Sequence, residues 1–128
     1  MRLEEIQTRI DAWIGLFEEG YFPPLSNLAR LVEEVGELSR ALNHRYGSKV
    51  PKATEAPTDI EEELGDILFT VAVLANSLEI DLEEVMRQTL NKVIDRDTTR
   101  WTMKSEHDVT TAQSMRLPPS KAEGSGSD

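Results

Sequence analysis

Apolar residues recur at helical spacing in four stretches of this chain, and no stretch shows the alternation of a half-buried strand. Leu3, Ile6, Ile10, Trp13, Ile14 and Phe17 predict a first helix from about Arg2 to Glu19, with Gly20 as its C′ residue. Tyr21-Phe22-Pro23-Pro24 reads as a rigid turn, and Ser26 as the N-cap of a second helix from about Asn27 to Tyr46. Leu28, Leu31, Val35, Leu38 and Leu42 form the stripe of that helix. A loop from Gly47 to Pro57 carries Lys49 and Lys52 and is long for a helix–helix connection. Thr58 with Glu61 is a capping box that opens a third helix, whose stripe runs through Ile60, Leu64, Ile67, Leu68, Val71 and Leu74 to about Leu78. Asp81 with Glu84 signals a fourth, using Leu82, Val85, Met86, Leu90 and Val93 and ending near Arg96. Periodicity stops at about Ser105, and the Gly-Ser-rich ending predicts a disordered, dispensable tail over residues 105–128. The expected fold is therefore all-α, a four-helix bundle over residues 1–104.

Within the second and third helices stand two nearly identical words. Glu34-Val35-Gly36-Glu37-Leu38 and Glu63-Leu64-Gly65-Asp66-Ile67 both read acid, apolar, glycine, acid, apolar. Residues i and i+3 share a helix face, so each word sets two carboxylates side by side. At roughly 100° per residue the acid pair keeps the same angle to the apolar stripe in both helices. Facing each other across a bundle, the pairs would form a nest of four carboxylates. Groups that close do not all stay ionised without a cation between them, and a hard ion such as Mg²⁺ is the natural filling. Gly36 and Gly65 each cost about 1 kcal/mol in mid-helix relative to alanine. They point away from the acids and the stripe, where a second subunit could approach. Glu33 points about 100° away from Glu34 and could orient a water or hold a second metal. Acidic residues number 24 of 128, so a single ExxE pair would more often be a solvated face than a ligand set; the matched pairs shift the balance to a metal site.

Charge and composition narrow the partners. The formal net charge is −10, which argues against a nucleic-acid backbone as ligand. There is no cysteine, hence no disulfide, thiolate nucleophile or cysteine zinc site. The acidic, amphipathic start is unlike a signal peptide, and the longest apolar run is too short to span a bilayer. A soluble cytoplasmic protein that engages neither nucleic acid nor membrane is expected. The exception to the acidity is the end of the fourth helix, where Asn91, Lys92, Arg96 and Arg100 precede Trp101. Lys92, Arg96 and Arg100 are spaced by four and could share a face, either to complement the helix dipole or to clamp phosphate groups.

Glu33-Glu34-Val35-Gly36-Glu37, followed after a gap by Glu63-Leu64-Gly65-Asp66, resembles the EExxE…ExxD signature of the MazG-like, all-α nucleoside triphosphate pyrophosphohydrolases. Phe22-Pro23-Pro24-Leu25, Asn43-His44-Arg45-Tyr46-Gly47 and the Arg96…Arg100-Trp101 end resemble its small, stand-alone YpjD-like branch. The resemblance covers about residues 1–104. It implies Mg²⁺-dependent cleavage of the α–β phosphoanhydride of a (deoxy)nucleoside triphosphate, giving monophosphate and pyrophosphate, as in nucleotide-pool house-cleaning; Mn²⁺ is a possible substitute. It implies Glu34, Glu37, Glu63 and Asp66 as metal ligands and Asn91, Lys92 and Arg96 as substrate-binding residues. Glu33 or Glu37 would act as the catalytic base. A homodimer or homotetramer is implied as well. Alternatives are a phosphoribosyl-ATP pyrophosphohydrolase-like enzyme and a non-catalytic metal–nucleotide binding module. A di-iron bundle ranks low, because neither acid pair has a histidine at i+3.

Overall fold

The computed structural model describes residues 1–57 and 59–120. Its elements are all helices: α1 (Leu3–Ile14), α2 (Pro24–Tyr46), α3 (Ile60–Ser77), α4 (Leu82–Asp97) and α5 (Glu106–Ser114). The first four are the expected ones, with altered ends. α1 stops about five residues early, at Gly15, whose backbone N–H bonds to Asp11 and Trp13 carbonyls. Glycine is a poor helix former, and the chain leaves through short turns such as Phe17 N–H to the Ile14 carbonyl. Gly20 closes this stretch at φ +59°, a left-handed conformation suited to glycine. α2 starts at Pro24, not after Ser26, because Pro at the first helical position has no N–H to leave unpaired and its φ is already helical.

Of the expected capping box, Thr58 lies outside the described residues. The N-cap of α3 is Asp59, whose side chain accepts from the Glu61 N–H at 2.9 Å. The tail expectation needs correction between residues 106 and 114, where α5 forms. It has no strong apolar stripe, which is why periodicity missed it, and it packs on α4. Residues 121–128 of that tail lie outside the described residues.

The chain divides into two compact units, residues 1–81 and the residues from Leu82 onward. In the first unit α2 and α3 make the main packing pair and α1 packs on α3. Its buried apolar residues are Ile10, Ile14, Ala41, Ala72 and Ala75. A side-chain ladder ties α1 to the end of α3: Gln7 Nε2 donates to Asn76 Oδ1 at 2.9 Å and to the Ile80 carbonyl at 2.8 Å, and Asn76 Nδ2 donates to the Gln7 carbonyl at 2.9 Å. The second unit is α4 with α5.

The stripes assigned to the core are incompletely covered. Leu28, Val35 and Leu42 on α2, and Leu64 and Leu68 on α3, are all exposed in the single chain. Val85, Met86, Leu90 and Val93 on α4 are exposed too. Among the described residues, no helix is long and apolar enough to cross a membrane.

Candidate metal centre

The repeated acidic words meet where α2 and α3 pack. One carboxylate oxygen from each of Glu34, Glu63 and Asp66 lies within 4.8 Å of the others. Glu63 is buried, Glu34 half-buried and Asp66 exposed, so the cluster opens to solvent on one side. Glu63 sits in the first turn of α3, behind the Asp59 cap, with its N–H bonded to the Asp59 carbonyl at 3.1 Å. Thr70 is buried one turn past Asp66, and its hydroxyl donates to the Asp66 carbonyl at 2.8 Å. That bond fixes the local backbone beneath the second acid.

Glu37 stands beside this trio, not inside it. Its charge acts on Glu63, but its carboxylate is engaged by Arg40 Nη2 at 3.2 Å. Arg30 Nε lies 3.8 Å from Glu34 Oε1. The nest is therefore three carboxylates with a fourth at its edge. Arg30 and Arg40 reduce the repulsion, and both were legible as i,i+4 and i,i+3 partners of the acids. Glu33 is exposed and not part of the cluster.

Electrostatics agree with the geometry. Burial first, then the charges of Glu37, Asp66, Glu34 and Glu62, push the Glu63 carboxyl above its ordinary value. A raised folded-state pKa means that Glu63 favours folding most when protonated, below its unfolded value. That contribution is lost as pH rises through the folded value. Like charges crowded around a buried carboxylate are a source of strain that a cation would remove. Three hard oxygen donors, one buried and acid-crowded, fit a hard divalent cation and offer nothing to a soft metal.

A second feature of the same unit is a cavity of about 380 Å³ lined by Trp13, Phe17, Tyr21, Phe22 and Phe69, with Asn27, Arg30 and Thr70 among its polar groups. Trp13 meets Phe17 edge-on at 5.0 Å and Phe69 at 6.3 Å. Trp13 belongs to the apolar stripe of α1, yet it is 53% exposed and forms a cavity wall. Asn27 is 2% exposed, with Nδ2 donating to the Phe22 carbonyl at 3.2 Å. Tyr21 donates to Asp11 Oδ1 at 2.7 Å; burial first, then that bond, raises its phenol above the usual range. The cavity adjoins the nest through two shared residues, Arg30 beside Glu34 and Thr70 on Asp66.

In the second unit, Asn91, Lys92 and Arg96 line an open groove on α4. Arg96 donates from Nε and Nη2 to both carboxylate oxygens of Asp97, at 2.8 and 2.9 Å. That bond, followed by the charges of Arg96 and Arg100, holds Asp97 below the usual carboxylate range. Asn91 has a partner that the sequence did not suggest: both its side-chain groups bond the backbone of Leu117.

An all-α domain with a carboxylate nest on two packed helices defines a class, and comparison with known proteins specifies it. The MazG nucleotide pyrophosphohydrolase domain matches residues 22–101. The chain belongs to that family, which makes it a hydrolase. YpjD of Bacillus subtilis (strain 168) is 53% identical over 104 residues, covering 81% of this chain and 94% of YpjD. YvdC of the same organism is 31% identical over 81 residues, 59% of this chain and 76% of YvdC. A crystal structure of YpjD from Bacillus subtilis aligns with a TM-score of 0.60 at 48% identity, covering 80% of this chain and 97% of that one. That of the Bacillus-conserved MazG protein, a nucleotide pyrophosphohydrolase, aligns with a TM-score of 0.64 at 41% identity, covering 84% and 96%.

Proposed function

We propose that the protein is a cytoplasmic, Mg²⁺-dependent nucleoside triphosphate pyrophosphohydrolase that cleaves the α–β phosphoanhydride and serves to clear nucleotides from the pool. The observation that carries this reading is the convergence of Glu34, Glu63 and Asp66 within 4.8 Å, in a chain of the MazG family. These three would hold the metal, with Glu37 as a fourth ligand or an acid at its edge. Bound there, Mg²⁺ supplies positive charge to the phosphate oxygens and Lewis acidity at the reacting centre. The chain's own residues do the rest. Glu33 or Glu37, not fully committed to the cation, accepts the proton of the attacking water. Arg30 and Arg40 hold the acids in place, and Lys92 and Arg96 of the second unit serve as phosphate-binding groups.

The aromatic cavity is the natural seat for the base and sugar. Its size lies in the range of small-molecule pockets, and its walls suit a planar ring. Asn27, buried and amide-bearing, is the polar group best placed to read a base edge. Trp13→Ala should raise KM about 10- to 100-fold, as expected for a base–aromatic stack worth roughly 1–3 kcal/mol. A turnover screen over canonical, deoxy and modified triphosphates, run on wild type and Trp13→Ala, tests the assignment. Equal kinetics for the two proteins on every substrate would remove the base from this cavity.

The exposed stripes of α2, α3 and α4 support a homo-oligomer, a dimer or tetramer, since a small domain that leaves this much apolar surface open gains from burying it against a copy of itself. Among the described residues, nothing outside their own helix lies within 4 Å of where a side chain at Gly36 or Gly65 would start, so those faces are open to another helix. Light scattering should give at least twice the chain mass across the micromolar range. A monomer mass at every concentration would refute the assembly.

A further inference from the structure

The chain from Glu106 onward lies beyond the matched domain, which ends at residue 101. It is nevertheless fastened to α4 in a specific way. Asn91 Nδ2 donates to the Leu117 carbonyl at 2.9 Å, and the Leu117 N–H donates to Asn91 Oδ1 at 2.8 Å. One amide side chain thereby satisfies both backbone groups of one residue, a two-way pairing that fixes position and direction together. It sets the neighbouring Arg116 over α4, with Nε 3.4 Å from Asp95 Oδ1. Arg116 joins Lys92 and Arg96 in the lining of the α4 groove, and Asp95 is the groove's one acid among the described residues. In a chain of net charge −10 this places three cations on one groove, Arg96 with its fork on Asp97 and Arg116 on Asp95. A guanidinium presents a fork of donors that matches phosphate oxygens, and Lys adds a point charge.

We infer that the C-terminal arm supplies Arg116 as the third cation of a phosphoanhydride-binding groove on α4, with Asn91 as the anchor that positions it. The choice of a phosphoanhydride rests on the pyrophosphohydrolase reading; the binding of a multivalent anion by three cations does not. Asp95 is then a built-in competitor: it holds Arg116 in place while the groove is empty and opposes the incoming anion.

The test is calorimetric titration of inorganic pyrophosphate, without divalent ions, into the full chain. Arg116→Ala should weaken binding about tenfold, the loss of one charge-assisted contact. Arg116→Lys should recover part of it. Asp95→Asn removes the competing charge and frees Arg116, so it should tighten binding several-fold. If the Arg116–Asp95 pair merely fastens the arm, both variants break the same bond and change affinity in the same direction. That result overturns the proposal, as does wild-type affinity in Arg116→Ala or no binding to the wild type. Kinetics then distinguish the source of the anion. A triphosphate tail in the groove makes Arg116→Ala raise KM, whereas product pyrophosphate makes it relieve product inhibition with KM unchanged. No change in either constant overturns the assignment. Arg116 and Asp95 lie outside the carboxylate nest, so a failed turnover assay would count against the pyrophosphohydrolase reading and leave the binding result intact.

Discussion

Glu63→Gln should lose on the order of a thousandfold in Mg²⁺-dependent turnover while the helices stay folded. The loss follows from removing one anionic ligand from the centre that neutralises phosphate charge, an effect worth several kcal/mol in the transition state. Glu63 is the most demanding of the three converging acids to replace, because it is the buried one. Its carboxyl is also the one pushed upward by burial and by its acidic neighbours. In the metal-free protein the same substitution removes a repelling charge, so melting temperature at neutral pH should hold or rise. Loss of activity with gain of apo stability separates a ligand from a structural acid, whose removal would lower both. Glu37→Gln should impair metal binding less, because Glu37 stands outside the three-carboxylate cluster and pairs with Arg40. Wild-type turnover in Glu63→Gln at matched folding would end the metal-site assignment.

Addition of Mg²⁺ should stabilise the wild type strongly. A ligand at a hundred times its Kd contributes about 2.7 kcal/mol if it binds only the folded state. For a chain of this size that is a rise in melting temperature of roughly 10 °C. The rise should shrink as pH falls through the raised pKa of Glu63, since protons and metal compete for the same oxygens. The direction is opposite for the metal-free protein: protonation of Glu63 relieves the cluster and adds stability there. Differential scanning fluorimetry with and without Mg²⁺ over an acid-to-neutral series reads both trends. The increment should vanish in Glu63→Gln. A pH-independent increment, or one retained in that variant, would place the cation elsewhere.

The helices and the nest were legible in the sequence for one reason: both are periodic. The i,i+3 acids Glu34/Glu37 and Glu63/Asp66 share a phase with their stripes, and three of the four converge as that phase requires. The fourth is displaced because Arg40, one turn along on the same helix, competes for Glu37. Periodicity says nothing about such partners unless charge spacing is read as well. The aromatic cavity was hidden because Trp13 comes from α1, Phe17 from the turns after it and Phe69 from α3. An apolar stripe looks the same whether it packs against a neighbour or lines a hole. α5 escaped notice because its nine residues carry little amphipathic pattern. The arm that follows α5 is held by the backbone of Leu117 on Asn91, a contact that depends on no side-chain pattern of its own. Burial was overestimated for the opposite reason: the stripes on α2 and α3 are real, yet Leu28, Val35, Leu64 and Leu68 remain exposed in one chain.

We propose that the nest on α2 and α3 directs water to the α–β phosphoanhydride of a nucleoside triphosphate, and ³¹P NMR of single-substrate turnover with Mg²⁺ on the purified chain identifies the products. The account requires nucleoside monophosphate and pyrophosphate in equal amounts from the first turnovers, with both absent in chelator and in Glu63→Gln. Nucleoside diphosphate with inorganic phosphate, or no cleavage of any triphosphate in a broad panel at saturating Mg²⁺, would contradict it.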